Sequence, residues 1–389
     1  MTSKRPDSKK EIVIKNKTPL LNQAVRRDLD DSLKLTPTSL SKKSSKSPEG
    51  KQEQIDIGDL KSKSYSPTVN HLLESLQSLS PNPNLFGCES KQQIRIQKGS
   101  KMECVDWESD EAMKTMYDNL KSKKINFANI IAPGQILSNC WFNCFFMVFF
   151  ISNKGRKFFR YLRQTMIEGF TPNFLEIYTD LKWPFFLLNT YIEASIRGKD
   201  DPIRFAETMD TNTLILEIGR ILKTRIKNVP KVGEAGCPLE YYGFIIYYLS
   251  DTTLRPEIIV PSIFNNFNSY LEQKKTDKIP HILVCKNDHS ETNVKLNKVY
   301  TADIDGKKYK YELDSAIILS PDKKHYTALL TGNNKEYGFD GASFSRLSTF
   351  QWKDIINTNQ TWRFDGDNVS HMYYSFNLCQ YYLLYYRTK

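Results

Sequence analysis

The sequence lacks any long apolar run. The longest, residues 145–151, is far shorter than the ~20 residues that an α-helix needs to cross a bilayer. No apolar stretch follows the first charged residues, as it would in a secretory signal. The mean hydropathy is −0.51. These absences argue against an integral membrane protein and a secreted module, so we expect a soluble chain with no membrane contact.

Metal-binding motifs are also missing. The seven cysteines show no C-x-x-C spacing, and the five histidines form no H-E-x-x-H. Zinc ribbons, zinc fingers and helix-borne zinc sites are therefore disfavoured. An odd number of widely spread cysteines is typical of reduced thiols. We accordingly expect an intracellular, cytoplasmic protein without a disulfide framework.

Positive charge is concentrated near the N-terminus. The net charge is +11, and residues 1–70 hold 15 Lys and Arg against 9 Asp and Glu, a net +6. Residues 1–68 are rich in Ser, Lys and Pro and cannot bury enough apolar surface to offset their ordering entropy. We predict a disordered basic tail. Such a tail is either simply solvated or in contact with nucleic acid or an assembly.

Helical spacing dominates the first part of the remaining chain. We predict a helical lead-in over 69–125, with helices at 71–79 and 107–123, where apolar residues recur one or two to a turn. Residues 140–151 are apolar almost all round, which is typical of a buried helix.

Strand-like segments follow, within a dense apolar domain over 126–389. Helices are predicted to continue over 157–227, with a break at residues 183–184, Trp-Pro. Strands are predicted at 243–249, 257–260, 281–285, 298–301, 307–319, 325–331, 336–340 and 372–386. Helices first and strands later predict an α+β fold.

A loop that runs straight into the apolar helix carries the first chemical signal. Residues 133–139 are rich in Pro, Gly, Ser and Asn, and Cys140 follows them. The partial positive charge at a helix N-terminus favours the thiolate, which attacks carbonyl carbons. The side-chain amide of Gln135 could donate to the resulting oxyanion. Alternatively, Cys140 is a small core residue, or Cys144, one turn later, is the nucleophile.

A predicted hairpin supplies a histidine and a carboxylate. Residues 324–331 and 336–340 form its two strands, and a two-residue loop at 332–333, Gly-Asn, closes it. In that register His325 lies directly opposite Asp340, with ~5 Å between their Cβ atoms. The carboxylate would then orient the imidazole and stabilise its charged form.

The register and the acid both leave alternatives. A loop at 333–334, Asn-Asn, would pair His325 with Ala342 instead. His325 would otherwise be an ordinary exposed strand histidine. A second Phe-Asp-Gly sequence makes Asp365 the alternative to Asp340 as the acid.

The sequence around Cys140 resembles the Cys box of the ubiquitin-specific protease family, the papain-fold deubiquitinases. That box reads Asn-x-Gly-Asn-Thr-Cys-Tyr-Met-Asn-Ser; here Gln135 stands at its start, Cys140 at the nucleophile and Asn143 at the later Asn. The departures are Gln135 for the usual Asn, Leu-Ser-Asn for Gly-Asn-Thr at 137–139, and Cys144 for Ser.

The later family motifs follow in the expected order. Residues 311–313 (Tyr-Glu-Leu), 325–328 (His-Tyr-Thr-Ala) and 339–340 (Phe-Asp) are similar to the family's His box. Residues 279–284 and 381–387 look like its Leu-Pro-x-x-Leu strand and its terminal tyrosine-rich strand. The paired C-x-x-C of the family's zinc-binding fingers is absent, so the part that grips ubiquitin is expected to be reduced.

The resemblance implies a papain-like cysteine protease fold, with a helical subdomain followed by an antiparallel β-rich subdomain. It implies hydrolysis at the C-terminal glycine of ubiquitin through a thioester on Cys140. His325 would act as base and acid, Asp340 would orient it, and Gln135 would help to hold the oxyanion. No metal or organic cofactor is implied, and ubiquitin or ubiquitylated proteins would be the partners.

Two other functions remain compatible with these residues. The missing fingers would suit a protease for another ubiquitin-like modifier or for peptides, and the unusual residues before Cys140 would suit a non-catalytic ubiquitin-binding module. The richness in Lys, Ile, Asn and Tyr suggests an AT-rich genome. Because compact members of the family occur in large DNA viruses, a viral origin, in host cytoplasm or virion, would fit.

Overall fold

The computed structural model describes most of the chain from residue 86 onward and one short earlier strand. The described residues are 54–56, 86–90, 92–121, 125–169, 179–201, 203–249, 254–274, 279–288, 294–322, 324–342, 347–364 and 373–388. They all belong to the unit Gly50–Lys389. The fold of this part is mixed helix and sheet, α+β, as predicted. No helix in these ranges is long and apolar enough to span a membrane.

Helices dominate the first half of the described chain. They are α1 (Asp110–Lys121), α2 (Cys140–Phe146), α3 (Asn153–Phe158), α4 (Arg160–Glu168), α5 (Thr179–Arg197), α6 (Asn212–Leu222), α7 (Pro238–Leu249) and α8 (Phe267–Glu272). A π-helical turn, Met147–Ile151, extends α2, and each of its residues is buried. The predicted helices at 107–123 and 140–151 are therefore present. The one predicted at 71–79 lies outside the described residues.

The strands are β1 (Gln54–Asp56), β2 (Gln93–Lys98), β3 (Lys101–Asp106), β4 (Glu257–Ile259), β5 (Ile282–Asn287), β6 (Val299–Ile304), β7 (Lys307–Leu319), β8 (Tyr326–Gly332), β9 (Lys335–Phe339), β10 (Ser348–Thr349), β11 (Thr361–Arg363) and β12 (Gln380–Thr388). Within the described residues, the main sheet has eight strands in the order β10-β9-β8-β7-β12-β5-β4, and β6 also pairs with β7. All of these pairs are antiparallel except β4 with β5.

Two details of the predicted helices and strands are wrong. Pro184 does not break α5, because it lies near the start of the helix. Proline has no N–H to donate to the carbonyl of Asp180, but Asp180 is exposed, so water can bond that carbonyl instead. The predicted strand 243–249 is the second half of α7. That helix is buried on nearly every side, so its sequence shows no amphipathic period. Its aromatic and β-branched residues are of the types that are common in strands.

The final strand is also shorter than predicted. It begins at Gln380 rather than at residue 372, since a turn precedes it and Tyr374 makes only an isolated bridge to Trp362. The predicted tail, 1–68, lies outside the described residues apart from β1. That strand pairs in parallel with β11.

The lead-in at 69–125 is not wholly helical. Residues 93–106 form the β2–β3 hairpin, and only α1 follows the helical prediction. Ile94 and Ile96 are buried and alternate with exposed neighbours, which is the period of a half-buried strand. Gly99 closes the hairpin with a φ of 63°, a conformation that glycine adopts without strain.

The same hairpin overturns the prediction that all seven cysteines are free thiols. Cys104 of β3 forms a disulfide with Cys88, with a Cα–Cα distance of 5.8 Å. Sequence spacing did not reveal the pair, because the turn before β2 and the hairpin register bring the two residues together. Cys140, Cys144, Cys237, Cys285 and Cys379 are free.

Buried helix α2 connects the helical half to the sheet. It packs against strand β8 on one side and helix α7 on another. The rings of Trp141, Phe142 and Phe145 all contact Tyr241 of α7, with centroids 5.1–5.7 Å apart. Aromatic packing of this kind adds to the area buried. The first residue of α2 is thereby held beside the sheet.

Candidate active site

Cys140 is the first residue of α2 and is only 7% exposed. Asn139 precedes it as the N-cap, but its side chain makes no capping hydrogen bond to the helix. It turns back instead and accepts a hydrogen bond from the Ile136 N–H at 2.9 Å. The first N–H groups of α2 therefore keep their donor capacity beside the thiol.

The hairpin that carries His325 is closed by Asn333 and Asn334, not by the preferred loop at 332–333. Both asparagines have positive φ, 49° and 62°, as a two-residue turn between twisted strands requires. Gly332 ends β8 instead. A Cβ there would lie 2.1 Å from the ring of Phe127, so its lack of a side chain serves packing.

The observed register still brings His325 to Asp340. Strand pairing runs through Ala328 with Phe339, two residues away from the preferred register. An even shift leaves side chains on their original face. His325 lies just before β8 and Asp340 just after β9, and the Nε2 of His325 is 2.7 Å from the Oδ1 of Asp340.

His325 carries a strongly perturbed pKa. Burial of the ring lowers that pKa, but hydrogen bonds and negative charge from Asp340 and Cys140 outweigh burial and raise it to about 10. Since Nε2 is used by Asp340, Nδ1 is the nitrogen left for Cys140. His325 is therefore an imidazolium at neutral pH, placed between the thiol and the carboxylate.

Asp340 is fully buried and well supplied with donors. Besides His325, the N–H of Ala342 donates to its Oδ1 at 2.9 Å. The carbonyl of the next residue, Gly341, accepts from the Gln135 N–H at 2.8 Å. A Cβ on Gly341 would come within 3.2–3.3 Å of Pro133 and two other atoms. The loop that carries Asp340 and Gly341, here called the acid loop, therefore lies directly against the loop before Cys140.

Gln135 lies on that loop, but its side chain makes only a weak bond. Its Nε2 is 3.4 Å from the carbonyl oxygen of Leu137, and its Oε1 is buried without a hydrogen-bond partner among the described residues. A bond of that length is at the limit of useful geometry. That this amide donates a hydrogen bond to a substrate oxyanion thus stays a prediction.

Cys144, the rival nucleophile, is fully buried. Burial, with the charges of Cys140 and Asp340, raises the pKa of its thiol well above the ordinary value. A thiol held in its protonated form is a poor nucleophile. The alternative acid Asp365 lies outside the described residues.

A buried set of amide and hydroxyl side chains holds the loop before Cys140 in place. The Nδ2 of Asn143 donates to the Gly134 carbonyl at 3.0 Å, and the Thr211 hydroxyl donates to the Oδ1 of Asn143 at 2.6 Å. The Nδ2 of Asn139 in turn donates to Thr211 at 3.0 Å. Each of these three side chains is 0–1% exposed.

A second bond from the start of α6 completes this set. Asn212 donates from Nδ2 to the Ile136 carbonyl at 3.1 Å, and Asp210 orients that amide through a 3.0 Å bond. We call Asn139, Asn143, Thr211 and Asn212 the amide cluster. Sequence reasoning missed Thr211 and Asn212. Their only signal was a polar Asp-Thr-Asn triplet before an apolar helix.

A second group of polar side chains lies near the thiol. Burial raises the pKa of Tyr326, the residue after the histidine, and Cys237, Tyr382, Cys140 and Glu240 are close enough that their ionised forms would raise it further. Burial raises the pKa of Glu240 to about 7, although the positive charge of Lys286 opposes this shift. Sequence analysis singled out neither Cys237 nor Glu240. In the described part of the chain, no group of three His, Cys, Asp or Glu side chains could hold a metal ion.

Comparisons with known proteins give limited information. No protein-family model matches the chain, and no curated protein matches it. Among solved structures, the Ubp8-Sgf11-Sgf73-Sus1 SAGA DUB module is similar at 10% identity and a TM-score of 0.40, over 74% of this chain and 76% of that chain. The same module bound to ubiquitin aldehyde is similar at 10% identity and a TM-score of 0.42, over 74% and 79%. Likenesses this distant carry no argument about this chain.

Proposed function

We propose that the chain is a thiol hydrolase of the papain-like, ubiquitin-specific protease type that cleaves bonds at the C-terminal glycine of ubiquitin. One observation carries the proposal. His325 is hydrogen-bonded to buried Asp340 at 2.7 Å, and Cys140, which begins a buried helix, is close enough to help raise the pKa of His325. A nucleophile, a base and a group that orients the base are the parts that covalent acyl transfer needs.

In the proposed reaction the thiolate of Cys140 attacks the carbonyl carbon of the terminal glycine. The carbonyl π electrons move to oxygen, and the N–H groups at the start of α2 and the Gln135 amide stabilise that oxyanion. The intermediate collapses, and the C–N bond breaks. His325 gives its proton to the leaving lysine amine, and a thioester remains on Cys140.

Hydrolysis of the thioester completes the cycle. Neutral His325 takes a proton from a water molecule, whose oxygen attacks the thioester carbonyl. The C–S bond then breaks, which restores the thiolate–imidazolium pair and frees a carboxylic acid. That acid gives its remaining proton to bulk water and leaves as the carboxylate. Asp340 keeps its charge throughout and holds the ring in one orientation, so that the same nitrogen faces the thiol in both steps.

The choice of ubiquitin as substrate rests on the sequence motifs around these residues. The Cys box at 135–144, the His box over 311–340 and the strand at 381–387 occur in the order of the ubiquitin-specific proteases. The His box and the last of these segments lie on β7, β8 and β12, which are neighbours in one sheet, and helix α2, where the Cys box ends, packs against β8.

The test is to mix the full chain with ubiquitin that carries a thiol-reactive alkyne in place of its terminal carboxylate. We expect one adduct per chain, located on Cys140 by peptide mass. Cys140→Ala should abolish it, and Cys144→Ala is the matched control for a thiol one turn away. Hydrolysis of a fluorogenic ubiquitin conjugate should follow the same pattern.

Each other outcome has a definite meaning. An adduct on Cys144 would keep the reaction class and move the nucleophile. Reaction with a different ubiquitin-like modifier but not with ubiquitin would change the substrate. Tight ubiquitin binding without any adduct, in a folded chain, would contradict the enzymatic proposal and favour a binding module.

A further inference from the structure

A cavity of about 310 Å³ opens among the helices of the first half. It is lined by α1, α3, α4 and α5 and shares no residue with the candidate active site. Four basic side chains, Arg156, Lys157, Arg160 and Arg163, face it together with a single carboxylate, Glu193. The lining therefore carries a net charge of +3.

The carboxylate does not neutralise the whole group. Glu193 is paired with Arg163, which also donates from Nε to the Oδ1 of Asn189 at 3.0 Å. No carboxylate of the described residues forms an ion pair with Arg156, Lys157 or Arg160. Among the described residues, these three positive charges have no carboxylate partner; Lys157 and Arg160 are exposed to solvent, and Arg156 is half-buried.

Arg156 shows most clearly that a hydrogen-bond acceptor is missing at this cavity. Its Nε is buried and has no hydrogen-bond partner among the described residues. Burial lowers the pKa of its guanidinium, and the charge of Arg163 lowers it further, while Glu193 opposes that effect. A buried guanidinium N–H without an acceptor costs stability, so an acceptor from outside the chain would stabilise the fold.

The helices carry these charges against local preference. Arg156, Arg160 and Arg163 recur at i, i+4 and i+7, and backbone hydrogen bonds at Phe159 continue the helical path from α3 into α4. Like charges at this spacing repel and destabilise a helix. An anionic ligand bound by all three arginines would offset their mutual repulsion, because it attracts each of them.

The shape of the cavity indicates the ligand class. Its volume lies at the lower end of the ~300–1,000 Å³ typical of small-molecule sites. Guanidinium groups bind phosphate oxygens through paired hydrogen bonds. Leu120, Ile125 and Ile196 supply an apolar wall beside the charges. We propose that this cavity binds a small phosphorylated molecule that carries two or more adjacent phosphate groups.

The test uses inorganic pyrophosphate with the full-length chain. Pyrophosphate should raise the thermal unfolding temperature by several degrees, as any ligand specific for the native state does, and sodium chloride of equal ionic strength should not. Isothermal titration should give one site per chain. Arg160→Gln should weaken binding about tenfold through loss of a charge-assisted hydrogen bond.

Arg220→Gln is the matched control, because Arg220 is an exposed arginine on a different helix. It should bind pyrophosphate as the wild type does. Arg156→Gln should abolish the response to pyrophosphate without lowering the unfolding temperature of the free protein, since it removes a half-buried guanidinium whose Nε has no acceptor among the described residues. An Arg156→Gln protein that fails to fold leaves the Arg160→Gln comparison as the deciding one.

The result that would overturn the proposal is a wild type that shows no pyrophosphate-specific shift, or equal binding by wild type and Arg160→Gln. A parallel titration with ATP tests whether the ligand is a nucleotide or a free diphosphate. Tighter binding of ATP than of pyrophosphate would identify a nucleotide. Equal binding would identify the diphosphate group itself, and both results support the site.

Discussion

The two halves of the candidate active site are held in place by different kinds of bonds. On the helical side, side-chain amides and a hydroxyl, the amide cluster, support the loop before Cys140. On the sheet side, strand register and a close backbone contact at Gly341 position His325 and Asp340. The position of the nucleophile therefore depends on specific side chains, whereas the positions of the base and the acid depend mainly on backbone geometry.

The largest effect is expected where charge itself is changed on the sheet side. Asp340→Asn preserves size but removes the charge that holds the pKa of His325 near 10. We expect kcat for ubiquitin-conjugate hydrolysis to fall by about 10²- to 10⁴-fold, as when a triad carboxylate is lost. NMR titration should show the His325 pKa moving well below 10.

The same substitution has a signed effect on stability. The folded pKa of His325 lies above its ordinary value of 6.5, so its ion pair stabilises the fold fully below pH 6.5 and is lost as the pH rises toward 10. Asp340→Asn should therefore destabilise most at about pH 6, where the imidazolium and the carboxylate are both charged, and least near pH 10. An equal loss of unfolding free energy at all pH values would contradict a charged His325.

The next effect tests the helical side. Thr211→Val keeps the shape of the side chain but removes the hydroxyl that joins Asn139 and Asn143. Unpaired buried amides cost about 1–3 kcal/mol, and we expect both that loss of stability and at least a tenfold lower rate of Cys140 alkylation by iodoacetamide. Thr224→Val is the control, since in the described part of the chain that hydroxyl donates to the nearby Ile221 carbonyl and to no other group. A normal alkylation rate in Thr211→Val would show that the amide cluster does not position Cys140.

A smaller effect is expected at the contact between the two halves. Gly341→Ala would place a methyl group within 3.2–3.3 Å of Pro133, Asn143 and Gln135, so the acid loop must shift by a few tenths of an ångström. We expect a several-fold lower kcat with little change in KM. Gly134→Ala is the matched control on the facing loop, because a Cβ there meets nothing within 4 Å. Equal activities of the two variants would argue against a tight contact.

The smallest effect concerns a carboxyl near the thiol. Burial raises the folded pKa of Glu240 to about 7 from 4.5, so its ionisation costs stability above pH 7 and nothing below pH 4.5. Glu240→Gln should raise the free energy of unfolding by about 1 kcal/mol at pH 8, after allowance for solvent screening. At pH 4 the two proteins should unfold alike in denaturant. A gain that is independent of pH would exclude ionisation as its cause.

Local patterns were enough to predict the α+β class, the buried helix after Cys140 and several antiparallel strands. Strand β7 was predicted with its observed bounds, since its tyrosines alternate with charged residues, its end at 316–319 is apolar, and turns flank it. Helix α7 was mistaken for a strand because burial on almost every face removes the helical period. The β2–β3 hairpin was missed although Ile94 and Ile96 alternate with polar residues.

The candidate catalytic residues were open to prediction from sequence because each has a local signature. Cys140 follows a loop and opens an apolar helix, and His325 and Asp340 bracket a hairpin. The preferred hairpin loop was wrong by one residue and the strand pairing by two, as in the alternative register. The side chains of His325 and Asp340 still meet, because an even shift keeps them on the same face.

The sequence alone determined the α+β class, most of the element types and the choice of Cys140, His325 and Asp340 as candidate catalytic residues, since these depend on periodicity and residue type. Only the tertiary structure decided how Thr211 and Asn212 support Cys140, that Cys88 and Cys104 are bonded, and that basic residues of two helices share one cavity. Contacts between residues distant along the chain depend on how helices and sheet pack, and no local pattern encodes that packing.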